Sequence, residues 1–180
     1  ELNRTDEDDS EYEFSTDRWL KCGEMLLQGL PVPEELGGAG LDPVSTAIGL
    51  EALGYGSRDS GLVFSVCAHL LACVVPVWKH GSPELRERYL GDLCNGTKIA
   101  VNGMTEPGTG SDAFAMKTHA VAEGDGFVLN GSKIFSSNGP IADVAVVYAT
   151  TDRDKGYHGG VTAFLIDRDT PGFSPGQKFR

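Results

Sequence analysis

The apolar and polar positions of this chain follow two different periods, and the change falls near Gly96. Before it the spacing is helical. Asp42-Pro43 offers a side-chain acceptor at a helix cap and proline at the first helical position. Val44, Ala47, Ile48, Leu50 and Leu53 follow at near-helical spacing, and Gly54-Tyr55-Gly56 is expected to stop that helix. A second helix is predicted from Asp59 to Val74, apolar nearly all round and so buried on several sides, with Pro76 expected to break or kink it. Ser82-Pro83-Glu84 opens a third, with Leu85, Tyr89, Leu90 and Leu93 on one face and Asn95-Gly96 at its end. Thr16 to Gln28 also reads as helical, with ends that the pattern does not define.

After Gly96 the runs are short and strand-like. Ile99 to Met104 and Ala115 to Glu123 are strand candidates. Phe127-Val128-Leu129, Asn130-Gly131 and Ser132-Lys133-Ile134-Phe135 predict a hairpin, because Asn-Gly supplies the positive φ angles of a tight turn. Val144 to Thr150 and Val161 to Ile166 are β-branched, apolar runs that predict two more strands. Pro171-Gly172 marks a turn, and Lys178-Phe179-Arg180 follows with no terminating element, as though cut inside a sheet.

Composition narrows the classes. At 180 residues, 40% hydrophobic and 23% charged, the chain has the balance of a globular protein able to bury a core. Its net charge of −11 argues against a nucleic-acid or anionic-membrane surface, since both need clustered Lys and Arg. The acidic run from Glu1 to Glu13 reads as a solvated surface segment. Cys22, Cys67, Cys73 and Cys94 show no C-x-x-C spacing, which disfavours a zinc site or disulfide frame and favours a reducing compartment. No metal-ligand set is expected, and residues 1–20 show no basic-then-apolar signal peptide. Ser60 to Trp78 carries no formal charge and is long enough to suggest a membrane span. It contains His69, two serines and Pro76, so it reads as a buried helix.

Two loops carry candidate chemistry. The first is Met104-Thr105-Glu106-Pro107-Gly108-Thr109-Gly110-Ser111-Asp112, directly after a strand. Its glycines let backbone approach a ligand, its N–H groups can form an anion-binding concavity, and Thr105 and Ser111 add hydroxyls. Alone, it reads better as a Gly-rich turn between strands. It is neither a G-x-G-x-x-G dinucleotide fingerprint nor a P-loop. The second is Lys133-Ile134-Phe135-Ser136-Ser137-Asn138-Gly139, where an aromatic and two hydroxyls can wall and hydrogen-bond a flat heteroaromatic ring. Alone, it too reads as a core aromatic followed by turn residues.

Together the loops resemble a known family. Thr105-Glu106-Pro107-Gly108-Thr109-Gly110-Ser111-Asp112, then Asn130-Gly131-Ser132-Lys133-Ile134-Phe135-Ser136-Ser137-Asn138-Gly139, is similar to the middle-domain pattern of the acyl-CoA dehydrogenases. Upstream, Leu30-Pro31-Val32-Pro33-Glu34-Glu35-Leu36-Gly37-Gly38-Ala39-Gly40-Leu41, Glu51-Ala52-Leu53-Gly54, and Gly81-Ser82 with Arg88-Tyr89-Leu90 resemble the family's N-terminal segments. The matches span nearly all of the chain beyond residue 16.

The resemblance implies an α+β protein: an N-terminal all-α domain over residues 1–98 and a middle β-barrel-like domain over 99–180. A C-terminal four-helix bundle would follow, and its absence leads to the expectation that these 180 residues belong to a longer enzyme and are inactive alone. FAD is the implied cofactor. Asn102, Met104 and Thr105 would lie along the flavin ring, Thr105 also using its hydroxyl; Gly110 and Ser111 would approach the pyrophosphate, with Ser111 also touching the substrate thioester's arm. Phe135 would flank the ring with Ser136 and Ser137 beside it, Ser137 standing where the family has a threonine bonded to flavin N5. Three positions depart from the family pattern. Phe135 stands where many members have Trp, Ser136 where an aliphatic residue is usual, and Asn102 where the residue is often aromatic or apolar.

The implied reaction is α,β-dehydrogenation of an acyl thioester on CoA or acyl carrier protein: a carboxylate takes the α proton while the β hydride passes to the flavin. The implied partner is an electron-transfer flavoprotein, and the implied assembly a homo-oligomer, dimer or tetramer. No residue here matches the family's glutamate base, and Glu106, preceding a proline, reads as structural. The expected compartment is the cytoplasm in a bacterium or the mitochondrial matrix in a eukaryote. Two alternatives stay open: a flavin-dependent oxidase or monooxygenase of the same superfamily, and a non-catalytic subunit of a mixed oligomer.

Overall fold

The helices of the N-terminal part begin where a side chain can accept from backbone N–H groups that have no helical partner. In the computed structural model, which describes residues 14–176, Ser15 caps α1 (Thr16–Glu24) and Asp42 caps α2 (Pro43–Gly56). Asp59 caps α3 (Ser60–His69), which passes through a π-helical turn, Leu70–Val74, into α4 (Val75–His80); Ser82 caps α5 (Pro83–Cys94). The acidic run at the start and the chain end at Lys178-Phe179-Arg180 lie outside the described residues. Trp19 and Cys22 of α1, Leu53 of α2, and Leu62 and Val66 of α3 form one buried cluster, with Phe14, Leu27, Val63 and Ile99 packed against it. The chain forms two compact units, one through Ala100 and one from Val101.

Two helical expectations are corrected. α1 stops at Glu24 rather than near Gln28, because Leu26 takes a left-handed backbone (φ 54°) and Gln28 turns fully inward. The Gln28 amide donates to the Trp19 carbonyl at 2.9 Å, a tertiary bond in place of another helical turn. Pro76 does not break its helix, which runs from Ser60 to His80. The π turn lies directly before it, and widening the helix there absorbs the missing N–H and the ring's clash with the preceding turn. This helix is long and apolar enough to cross a bilayer, yet its Leu62 and Val66 belong to the cluster with Trp19.

The second unit is built on a five-stranded sheet: β1 (Ala100–Gly103), β2 (His119–Glu123), β3 (Gly126–Asn130), β4 (Val144–Thr150) and β5 (Val161–Asp167). The order is β1-β4-β2-β3, with β5 also paired to β4. β4 is the spine, buried at Val144, Ala145, Val146, Val147 and Ala149 as its continuous apolar run requires. β5 runs antiparallel to it in unbroken register from Val144↔Asp167 to Thr150↔Val161, and β2 meets it at the parallel pair His119↔Thr150. Val101, Ala142, Ala145 and Val147 form the core, with Leu129, Ile166 and Phe173 packed on it.

The hairpin differs from expectation. Its turn is Gly124-Asp125, between Glu123 and Gly126, and not Asn130-Gly131. Gly124 takes φ 58°, so the turn belongs to the Gly-first kind that also suits the strand twist. Asn130 is instead the last paired residue of β3, opposite His119, and Gly131 packs so closely on Thr118 that a side chain there would collide with its backbone. Ser132 to Phe135 forms no strand. β2 likewise starts at His119 rather than Ala115, since Ala113–Ala115 is a 3-10 turn and the N–H groups of Lys117 and Thr118 bond a carboxylate.

At the centre of the helical unit lies a fully buried histidine. His69 sits edge-on to Trp19 with ring centroids 5.1 Å apart. Its Nδ1 accepts from the Ala100 N–H at 2.9 Å, so the ring is neutral, with the proton on Nε2 donated to the Leu93 carbonyl at 2.9 Å. The Trp19 indole in turn donates to the Gly96 carbonyl at 2.8 Å. Burial lowers the His69 pKa to about 4 against the opposing bond to the Leu93 carbonyl, while the Ala100 N–H donated to Nδ1 favours the neutral ring. The folded state therefore stays unprotonated at His69 between its ordinary pKa of 6.5 and about 4, while the unfolded chain takes up the proton. Urea titrations are expected to show stability falling by about 3 kcal/mol from this group as pH drops from 6.5 to 4. His69→Leu should lower stability at neutral pH and flatten that stretch of the profile.

Candidate functional site

The two loops singled out in the sequence meet through one buried ion pair. The first leaves β1 at Gly103 and turns sharply at Pro107-Gly108, where Glu106 and Thr109 exchange backbone hydrogen bonds of 3.0 and 3.2 Å. That turn directs the Glu106 side chain inward, leaving the residue 6% exposed. Its carboxylate accepts from the backbone N–H groups of Lys117 at 2.6 Å and Thr118 at 2.9 Å, and from Lys133 Nζ at 2.9 Å. Lys133 Nζ also donates to the Met104 carbonyl at 3.1 Å, and the Ile134 N–H donates to the Thr105 carbonyl at 2.9 Å. Burial alone would raise the Glu106 pKa, but the hydrogen bonds from Thr118, Lys117 and Lys133 outweigh it and hold the carboxyl at about 2.

This frame brings most of the expected residues together. Asn102 is half-buried on β1, and Met104 and Thr105 are half-buried just beyond it. Lys133 and Ile134 bind Met104 and Thr105 directly, so Phe135, Ser136 and Ser137 follow immediately from that junction. Phe135 is 72% exposed and held at φ 55°, a backbone that bulky side chains adopt at a cost of order 1–3 kcal/mol. A large ring kept in solvent on a strained backbone is the outlier of the site. Ser136 and Ser137 are half-buried behind it, and the Ser136 carbonyl accepts from the Gly139 N–H at 3.0 Å. Gly110 and Ser111 are exposed beyond the Pro107-Gly108 turn. A side chain added at Gly108 or Gly110 would meet nothing within 4 Å, so that loop presents open backbone to a ligand.

Two contributors were not legible as site residues. Lys133 stood in the quoted motif without a role. Its signal was present, since Glu106 is the one charged residue between Asn102 and Ser111, and Lys133 the one between Asn130 and Asn138. Lone opposite charges in two neutral loops invite pairing. Asn138, 8% exposed at φ 69°, opens the short 3-10 turn Gly139–Ile141 that leads to β4. Asn tolerates the left-handed region better than most residues, which was the available clue.

Family models match the chain throughout: the acyl-CoA dehydrogenase N-terminal domain over residues 1–97 and the middle domain over residues 101–180. Among curated relatives, L-prolyl-[peptidyl-carrier protein] dehydrogenase of a Serratia species is 48% identical over 164 residues, covering 91% of this chain and 42% of the relative. Of solved structures, PigA with FAD and proline aligns at 49% identity and a TM-score of 0.85, covering 88% of this chain and 41% of that one. The prolyl acyl carrier protein oxidase AnaB aligns at 45% identity and a TM-score of 0.84, covering 88% and 42%. The chain thus spans about two fifths of the length of the relatives it matches.

The ion pair yields a stability prediction. Glu106→Gln or Lys133→Met alone leaves the other charge buried and should cost about 3 kcal/mol in urea unfolding at pH 7. The double variant should cost clearly less than the sum of the two. Because the folded carboxyl is held low, the wild-type advantage over Glu106→Gln should be complete above pH 4.5 and disappear as pH falls toward 2.

Proposed function

The chain belongs to the acyl-CoA dehydrogenase family, and from that premise we propose that it is part of a FAD-dependent enzyme that dehydrogenates the α,β bond of an acyl thioester, the acyl group being L-prolyl on a peptidyl carrier protein. The observation that carries the flavoenzyme reading is Phe135, an exposed aromatic ring on a strained backbone, one residue beyond Ile134, which bonds Thr105. Similarity to the prolyl-carrier-protein dehydrogenase and to PigA with FAD and proline supports the choice of carrier-bound prolyl over a CoA ester. The partner that takes the electrons is an electron-transfer flavoprotein, and the enzyme assembles as a dimer or tetramer.

The residues present fit the cofactor. Phe135 offers a flat apolar face, and the backbone around Gly108 and Gly110, with nothing within 4 Å of where a side chain would stand, leaves room for a pyrophosphate. Asn102, Met104 and Thr105 would border the ring, Ser136 and Ser137 its reacting edge, and Gly110 and Ser111 the phosphates, with Ser111 also against the substrate's phosphopantetheine arm. When bound, FAD supplies the acceptor for the β hydride. The chain's own part is to orient and to exclude water: the Lys133 bond to Met104 and the Ile134 bond to Thr105 set the spacing between the two walls. Glu106 is not the proton acceptor, since both its oxygens are committed to Lys117, Thr118 and Lys133 and its carboxyl is too acidic to take an α proton.

A second reading follows from the 45% identity to the prolyl acyl carrier protein oxidase: the same dehydrogenation with electrons delivered to oxygen. The test is the visible absorbance of the FAD-loaded whole protein, mixed anaerobically with L-prolyl-loaded carrier protein and separately with butyryl-CoA. Bleaching by the prolyl substrate alone is the expected outcome; bleaching by butyryl-CoA alone would replace the substrate assignment, and none by either would overturn the reading. Oxygen uptake during turnover then separates oxidase from dehydrogenase. Phe135→Ala should weaken FAD binding about tenfold, the loss of one stacking contact.

A further inference from the structure

The loop that carries Ser111 also carries an exposed ring. Phe114 stands in the 3-10 turn Ala113–Ala115, three residues past Ser111 and so within about 11 Å of it along the chain. Tyr157 stands in the connection between β4 and β5. The two rings meet edge to face across the loops, with centroids 6.2 Å apart, yet Phe114 stays 56% and Tyr157 69% exposed. The loops start side by side because Thr150, at the end of β4, donates its N–H to the Thr118 carbonyl at 2.9 Å and its hydroxyl to the Met116 carbonyl at 3.5 Å. The Tyr157 loop is tied within itself. Thr151 and Asp152 N–H groups both donate to the Gly160 carbonyl at 2.8 and 3.1 Å, and the Gly160 N–H donates to the Gly156 carbonyl at 2.8 Å. A side chain at Gly160 would collide with the Asp152 carbonyl. This loop therefore holds a large ring in solvent at a fixed place, which is what an interface anchor requires.

What covers these rings follows from the substrate's arm, a step that rests on the reading above of carrier-bound prolyl with Ser111 against the phosphopantetheine. The outer end of such an arm is a phosphodiester to a serine of the carrier domain. Surface that flanks the arm's outer end therefore faces the domain itself, where a CoA ester would place a nucleotide. The charges of the two loops leave that approach open. Over residues 108–117 and 151–160, Asp112, Asp152 and Asp154 are matched by Lys117, Arg153 and Lys155, a local balance on a chain of net charge −11. A phosphodiester is not repelled there, and apolar contact is left as the main source of affinity. We propose that Phe114 and Tyr157 are the anchors on which the peptidyl carrier domain docks while its arm passes Ser111.

Anaerobic bleaching of the FAD-loaded whole protein by two prolyl thioesters tests this, one on the carrier domain and one on free phosphopantetheine, which has the arm without the domain. Phe114→Ala and Tyr157→Ala should each raise the half-saturating concentration of the carrier substrate about tenfold, the loss of one interface anchor. The limiting rate with that substrate, and both constants with prolyl phosphopantetheine, should not change. Calorimetry with the carrier domain bearing an unloaded arm should show the same tenfold weakening, and Tyr157→Phe, which keeps the ring, should bind as the wild type does. Equal weakening of both substrates, or no change with the carrier, would overturn the proposal and leave the substrate reading in place. A wild-type protein bleached by neither thioester would overturn that reading and the proposal with it.

Discussion

The sheet unit depends on a carboxylate that has been moved from water to a position between three pieces of chain. Glu106 would be costly there alone, since burial opposes its charge. It persists because two backbone N–H groups at Lys117 and Thr118 and the Lys133 ammonium all point at it. Those bonds have consequences along the chain. They draw residues 117 and 118 away from strand geometry, delay β2 until His119, and bring residue 133 against residue 104, 29 positions earlier. The aromatic wall at Phe135 stands where it does because Lys133 and Ile134 are already fastened.

The helical unit solves a similar problem with the opposite charge state. His69 joins the end of α5 to the start of β1 by accepting from one backbone group and donating to another, which only the neutral ring can do. Its burial disfavours the imidazolium. Glu106 is surrounded by donors and is held ionised; His69 faces one donor and one acceptor and is held neutral. At Glu106 hydrogen-bond donors overcome burial and decide the protonation state, whereas at His69 burial decides it.

Much of this was legible because it is local. Asp42 and Ser82, each followed by proline, announce their helices locally, and the apolar run of β4 announces a buried strand. What the pattern concealed depends on distant partners. The inward turn of Gln28 answers to Trp19, and the π turn that carries the helix past Pro76 is a packing solution with no sequence signature of its own. The hairpin shows a real competition: Asn130-Gly131 has the better turn composition, but Gly124-Asp125-Gly126 lets Val121 face Val128 and Ala122 face Phe127, and pairing across the strands wins over local preference. At the site, motif resemblance located the loops, while the ion pair that joins them spans 27 residues and no local rule reaches that far.

The displaced turn has a consequence for how such a protein changes over generations. Since residues 135–137 lie in no strand, substitutions there leave the sheet's pairing intact, while Lys133 and Ile134 fasten the segment to its neighbour loop. Phe135 and Ser136, two of the positions where this chain departs from its family's usual residues, both fall in this stretch. Inheritance of the scaffold is thereby uncoupled from inheritance of the surface that reads the ligand. Lineages can diverge in what they recognise by drift through a few loop codons, with little selection for compensating change in the strands beneath.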